Sequence, residues 1–452
     1  MSNFRPIDRG TPYLLPPSVE EWLPAGHLAR FVVEIVDQLD LRALESAYRG
    51  SGKAAYHPAM LTALLIYGYA TGTYSSRAIE RASYDSVAFR YIAANTHPDH
   101  DTLCAFRRRF LKEIEQLFVQ VLEMAGEMKL VKLGTVALDG TKIHANASRH
   151  NALSYGRAQK IEAQLRGEVR DLLARAEAAD SASLPDGLSI PDELARREAR
   201  LAAIAEAKAK IEARAAERLA DEQRQYEERL AAREAKAKAR GKHPGGRPPQ
   251  PPTGGARDTD QINLTDEESR IMPRSGGGGF DQCYNAQAAV DVDSMLIVGA
   301  HLSASPSDVR QMEPMLEQLS DVPGEIGAPT SVLADAGFFS QANVERCLLR
   351  GVRPLIARRR DQHYQPWFDR LAEPPPLDEA ACPVERMAHD MQTREGRALY
   401  RLRKQTIEPV FGIIKSVMRF RQFLLRGLKK ATGEWRLVAM AWNIRRMAVL
   451  AG

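Results

Sequence analysis

A chain of 452 residues is long enough for two or three domains, each with its own core, which excludes a small module held together by metal or disulfides. With 44% hydrophobic and 27% charged residues and no apolar run of membrane-span length, the composition also excludes a membrane-embedded protein. A formal net charge of +5 is too small to identify a polyanionic partner by itself, so the distribution of charge along the chain carries the information.

The opening MSNFRPIDRGTPYLLPPSVEEWLP lacks the basic, apolar and small-residue succession of a secretion signal, so a reducing, cytoplasmic setting is expected. Cys104, Cys283, Cys347 and Cys382 suit it: they are scattered, without a short metal-binding pair, and read as buried thiols. Residues 1–129 read as a helical domain. Leu28, Phe31, Val32, Ile35, Val36 and Leu39 recur at helical spacing, and Pro58 opens a second apolar helix. SSRAIERASYDSVAFRYIAA reads as two brief helices, and PDHDTLCAFRRRF begins a longer one capped by Asp101 or Thr102. Two readings stand side by side: a helix-turn-helix reader whose Arg77, Arg81, Arg90 and Arg107 to Arg109 touch DNA, or a bundle that packs on the core or dimerises.

Residues 130–153 read as two strands turning at Asp139-Gly140, with Val136 and Leu138 facing the core. Taken locally, that pair is an ordinary turn. Residues 154–241 are rich in Ala, Glu, Arg and Lys and read as a helical hairpin, with Ile161, Leu165, Val169 and Leu172 on one stripe and Leu194, Leu201, Ile204, Ile211 and Leu219 on the other. Pro185, Gly187 and Pro191 mark the break between its helices. Residues 242–263 read as a Pro/Gly linker. Residues 264–452 are α/β. YNAQAAVDVDSMLIVGAHLS is a hairpin turning at Asp291 to Ser294, and SVLADAGFFSQANVERCLLRGVRPLIA reads as strand, turn, helix, strand. There Asp335 ends the first strand, Gly337 permits a tight exit, Ser340 caps the helix, and Val344, Cys347 and Leu348 face inward. Ligand-binding groups in such sheets gather at the carboxyl ends of strands.

In TIEPVFGIIKSVMRFRQF, Pro409 is tolerated only in a first turn, so a helix is expected to begin near Glu408 with Thr406 as its cap. Ile407, Val410, Ile414 and Val417 form its apolar stripe, and Glu408, Phe411, Gly412, Lys415 and Arg419 share the adjacent face. Nine Lys or Arg residues lie between Arg401 and Lys430 against Glu408 alone, a net +8 that leaves the rest of the chain at −3. A basic patch centred on one acid suits a site that attracts a polyanionic backbone and still holds metal; the plain alternative is a solvated helix face. Asp139, Asp335 and Glu408, if the fold converges them, would make a carboxylate site for divalent metal of the kind that cuts and joins phosphodiesters.

These motifs together resemble the DDE transposases of bacterial insertion sequences, the group with a ribonuclease H-like core and a Tyr-Arg-Glu-Lys signature around its third acid. The likeness runs through PDHDTLCAFRRRF, VALDGTKIHANAS, YNAQAAVD, ADAGFF, EPVFGIIK and FLLRGLKKATGEWRLVAMAWNIRRM. It implies Asp139, Asp335 and Glu408 as the metal-binding triad, with Lys415 beside them, and Tyr400, Arg403 and Lys415 as the rest of the signature, with Arg419 and Arg421 adding DNA contacts. Two departures stand out. The interval from the signature arginine to Glu408 is one residue longer than in the best-known branch, so Arg401 or Lys404 competes with Arg403 for that place, and Phe338 stands where many relatives carry tyrosine. The resemblance implies a ribonuclease H-like α/β core carrying a helical N-terminal domain and an inserted helical arm. It also implies two Mg²⁺ ions, replaceable by Mn²⁺, and double-stranded DNA as substrate: terminal inverted repeats, then target DNA. Joining two ends makes a homodimer the general expectation. A ribonuclease H-like nuclease without transposition and a noncatalytic DNA-binding remnant are the alternatives.

Overall fold

The computed structural model describes residues 18–48, 55–148, 151–179, 190–240, 245, 247–274, 278–358, 372–378 and 380–452. They form two compact units, one of residues 1–146 and 283–452 and the other of residues 147–282. In the first unit the chain opens with helices α1 (Leu28–Gln38), α2 (Arg42–Glu45), α3 (Pro58–Thr71), α4 (Ser76–Asp85), α5 (Val87–Ile92), α6 (His100–Arg109) and α7 (Leu111–Glu127). Pro58 occupies the first turn of α3, where its missing N–H costs nothing, and Gly72 ends that helix in the left-handed conformation. The expected single helix after Pro98 is broken at Phe110 into α6 and α7, and its cap is Asp99, whose carboxylate accepts from the Thr102 N–H, rather than Asp101 or Thr102.

The sheet of this unit contains β1 (Thr135–His144), and further strands join it after the inserted second unit. In that second unit β2 (Ala152–Ser154) precedes α8 (Tyr155–Ala179) and α9 (Ile190–Arg240), and β3 (Gln261–Asn263) pairs antiparallel with β2, so the stretch read as linker ends in a strand. A short β4 (Arg270–Pro273) follows. Ion pairs Lys208–Glu162 and Arg197–Glu168 fix α8 and α9 antiparallel, and Leu165, Ile204, Ala207 and Ile211 form their shared core with Leu153 and Ile262. The break expected at Pro185 and Gly187 lies outside the described residues.

Back in the first unit, β5 (Phe280–Asp291) and β6 (Ile297–Ser303) form the hairpin expected around Asp291 to Ser294. Then come α10 (Met312–Ser320), β7 (Ser331–Ala334), α11 (Gln341–Leu349), β8 (Arg353–Ile356), α12 (Pro383–Asp390), α13 (Arg394–Ser416) and α14 (Leu428–Ala451). The sheet has six strands in the order β4-β5-β1-β7-β8, with β6 also pairing with β5; β5 is antiparallel to both β1 and β6, and β7 and β8 are parallel to β1. The second unit is inserted where β1 ends and β5 begins to pair with it, at His144 opposite Cys283.

β1 runs straight through Asp139-Gly140, so no turn exists there. From Val136 to His144 it pairs with β5 without a break, and that ladder outweighs the local turn preference of the dipeptide. α13 likewise begins at Arg394, capped by the Thr393 side chain, and Pro409 lies inside it; Thr406 is not its cap. Ile407, Val410 and Ile414 are buried as expected, but Val417 and Leu348 are exposed. Of the cysteines, Cys283 and Cys347 are buried, while Cys104 is half-buried and Cys382 exposed. α14 closes the unit by packing on α3, α7 and β6, with the Trp435 indole N–H donating to the Gln287 carbonyl at 2.9 Å. No helix among the described residues is long and apolar enough to cross a membrane.

Candidate active site

The parallel register of β1 and β7 builds the centre of the site. Leu138 pairs with Ala334, so the residues that follow, Asp139 and Asp335, sit side by side at the carboxyl end of β7. Asp139 is held by the Gly140 N–H at 2.8 Å, and Asp335 accepts from the Gly337 N–H at 2.8 Å across a tight 3-10 turn. Burial, and then the charge of Asp335, push the Asp139 carboxyl up to about 6, against the pull of Arg403 and the Gly140 N–H. Two adjacent carboxylates in a half-dry setting want a cation.

Helix α13 brings the other groups. Arg403, nearly buried, donates from Nη1 to Asp139 at 3.1 Å and approaches Glu408 at 3.9 Å, so its guanidinium lies between the first and third acids. Arg401 and Lys404 are exposed on the same helix, and of the three basic residues it is Arg403 that faces Asp139. Glu408 remains more than half exposed, and no three Asp, Glu, His or Cys side chains among the described residues are already grouped to hold a metal ion. The donor set is nonetheless the right kind, because hard carboxylate oxygens suit divalent cations. The buried Arg403 Nε has no hydrogen-bond partner among the described residues, so the arginine is bound through its tip, where a positive charge satisfies Asp139.

Lys415 donates to the Thr141 hydroxyl, two residues beyond Asp139 on the same face of β1. Burial lowers the Lys415 ammonium below its ordinary value, with Cys283 and Asp139 opposing and Arg421 adding to the fall. The Tyr400 hydroxyl donates to the carbonyl of Ala334, the last residue of β7, at 3.3 Å. Beyond α13 the chain turns through Arg419, whose backbone is left-handed at φ 56°, and runs beside the end of β1, with His144 N–H donating to the Arg421 carbonyl at 3.0 Å. Arg419, Arg421, Arg426, Lys429 and Lys430 are exposed and form no ion pair among the described residues.

A family model described as a transposase DDE domain matches residues 258–444, and a second, described as a transposase domain, matches residues 17–109. The chain belongs to the DDE transposases. It is an enzyme of DNA cleavage and strand transfer, of the type typical of insertion sequences, and this group works on DNA with divalent metal ions. The first match takes in Asp335, Glu408 and Lys415 and begins after Asp139. No curated protein and no solved structure matches the chain.

Among the arginines of a supposed DNA-reading helical region, Arg107 is buried and donates to the Tyr69 hydroxyl at 3.0 Å and the Tyr74 carbonyl at 3.2 Å. Arg109 donates to the Ala47 carbonyl, and Arg90 donates to Asn95 and lies over the Trp22 ring. Those three hold the helices together, while Arg77, Arg81 and Arg108 are exposed. Sequence reasoning missed Asp308, which lies beside both strand acids; nothing in SASPSDVR distinguishes it from a loop aspartate.

Proposed function

We propose that this transposase cuts at the terminal inverted repeats of a bacterial insertion sequence and joins the freed ends to target DNA, using a ribonuclease H-like core with Asp139, Asp335 and Glu408 as the metal-binding triad. The observation that carries the reading is the adjacent register of Asp139 and Asp335 on parallel strands, with the charge of Asp335 acting on Asp139 and Arg403 of α13 reaching from Asp139 toward Glu408. The sheet order and strand directions support the core assignment. Two Mg²⁺ ions, replaceable by Mn²⁺, would be held by the three acids; when bound they activate the attacking hydroxyl and stabilise the departing oxygen.

The remaining roles belong to the chain's own groups. Lys415, kept upright by Thr141, offers an ammonium to a backbone phosphate beside the first acid. Tyr400 and Arg403 orient the terminal nucleotides, and the exposed Arg419 and Arg421 grip the flanking backbone. Residues 1–129 bind the DNA end, residues 130–153 and 264–452 form the catalytic core, and the arm of residues 154–241 with the linker of 242–263 is an insertion. The working form is a homodimer on DNA in the bacterial cytoplasm, because two ends must be held for joining. The test is a labelled duplex carrying the element's end, incubated with protein in Mg²⁺, in EDTA, and with Glu408→Gln. End-specific nicking that needs both metal and Glu408 is expected. Metal-dependent cutting without end preference would replace the reading with a general nuclease, and tight end binding without cutting would replace it with a DNA-binding remnant.

A further inference from the structure

Two glycines beside the strand acids are spent on a third carboxylate. At Gly140 a Cβ would lie 2.3 Å from Gln287 Nε2, 2.6 Å from Asp308 Oδ1 and 2.7 Å from Asn285 Oδ1. At Gly337 it would lie 2.9 Å from Asp335 Oδ1 and 3.2 Å from Asp308 Oδ2. Asp308 therefore fills the space between the residue after Asp139 and the turn that holds Asp335, and any side chain at Gly140 would expel it.

The two oxygens of Asp308 have different fates. Oδ1 accepts from the Asn285 amide at 2.8 Å and the Gln287 amide at 2.6 Å, both on β5. Oδ2, turned toward Gly337 and Asp335, has no donor among the described residues. Gln287 is fully buried, and its own Oε1 also has no partner among the described residues. Buried amide oxygens are nearly always satisfied, so the unmet oxygen of the amide that holds Asp308, together with the donorless Asp308 Oδ2 beside Asp335, points to a donor or cation that belongs there. The Asp308 charge is felt at Asp139, which makes it a member of the same electrostatic group.

We propose that Asp308 is a fourth carboxylate of the divalent-metal site, held by Asn285 and Gln287 so that its free oxygen and its charge strengthen cation binding by Asp139 and Asp335. The inference rests on the catalytic reading of those two acids. It makes Asp308 a positioning residue for the metal rather than a group that touches DNA.

The experiment titrates Mn²⁺ into the full chain without DNA, following free Mn²⁺ by electron paramagnetic resonance, for the wild type, Asp308→Asn, Asp308→Glu and Asp139→Asn. Asp308→Asn keeps shape and an acceptor for the two amides but removes the charge. It is expected to weaken Mn²⁺ binding about tenfold, as loss of one nearby unit charge does, while the thermal midpoint stays at or above that of the wild type. Asp308→Glu is expected to recover part of the affinity. Wild-type affinity in Asp308→Asn, with Asp139→Asn impaired, would overturn the role of Asp308 and leave the catalytic reading standing. Wild-type affinity in both would overturn the catalytic reading of Asp139 as well. A lowered thermal midpoint for Asp308→Asn with unchanged Mn²⁺ binding would show a purely structural cradle and also overturn the proposal.

Discussion

Glu434 gives the sharpest test of how the helices are tied to the basic segment beside the site. It is fully buried on α14 and gathers three donors: the Tyr69 hydroxyl of α3 at 2.6 Å, and the backbone N–H groups of Leu424 and Leu425 at 2.9 Å each. Arg107 of α6 reaches the same Tyr69 hydroxyl. Burial pushes the Glu434 carboxyl above its ordinary value, and Arg107, Tyr69 and the two N–H groups pull it back. In Glu434→Ala the two N–H groups and the Tyr69 hydroxyl lose their acceptor, and Arg107, which is linked to Glu434 through that hydroxyl, loses a nearby opposite charge. Two unmet N–H groups at about 1–3 kcal/mol each put the loss at roughly 2–6 kcal/mol. That is a large part of the roughly 5–15 kcal/mol that separates folded from unfolded domains. Urea unfolding followed by tryptophan fluorescence reads the effect directly, because Trp435 is buried one residue away. Glu434→Gln retains one acceptor oxygen and is expected to fall between the wild type and Glu434→Ala. A loss in Glu434→Ala of less than about 1 kcal/mol, below the cost of even one orphaned donor, would refute the network as a structural tie.

Two further outcomes are expected. In EDTA, Asp139, whose carboxyl is raised to about 6 by burial and by Asp335, favours the folded state fully below the unfolded value of 3.8. That contribution, about 3 kcal/mol by linkage, is lost as pH rises through 6, so Asp139→Asn should match the wild type near pH 4 and be the more stable protein at pH 7.5. Equal urea midpoints at both pH values would count against the shift. Pro409 sits inside α13 on an exposed position and leaves a carbonyl of the preceding turn without its N–H, so Pro409→Ala should raise stability by roughly 1–3 kcal/mol; an unchanged or lower thermal midpoint would show that the helix is shaped around the proline.

How far the residues announced their structure depended on whether neighbours or distant partners decided the outcome. The β5–β6 hairpin, the strand-turn-helix around Asp335 and the Ser340 cap were legible because each rests on contacts within a few residues. Asp139-Gly140 was misleading for the opposite reason. A dipeptide with strong turn preference is held extended by nine successive rungs to a strand lying well over a hundred residues further on, and its glycine serves Asp308 and two β5 amides rather than a turn. Pro409 misled in the same way: α13 begins well upstream at its Thr393 cap and runs on through a proline that suits only a first turn, while Ile407, Val410 and Ile414 bury on the core. The lengthened interval before Glu408 left Arg401, Arg403 and Lys404 indistinguishable along the sequence, and only helical phase separates them, since one helix face alone meets Asp139. Asp308 carried no local mark at all. Its meaning comes from Asn285 and Gln287, alternate residues of a strand whose side chains share one face, and from the absence of side chains at Gly140 and Gly337; the four positions are unrelated until the sheet assembles them around one carboxylate.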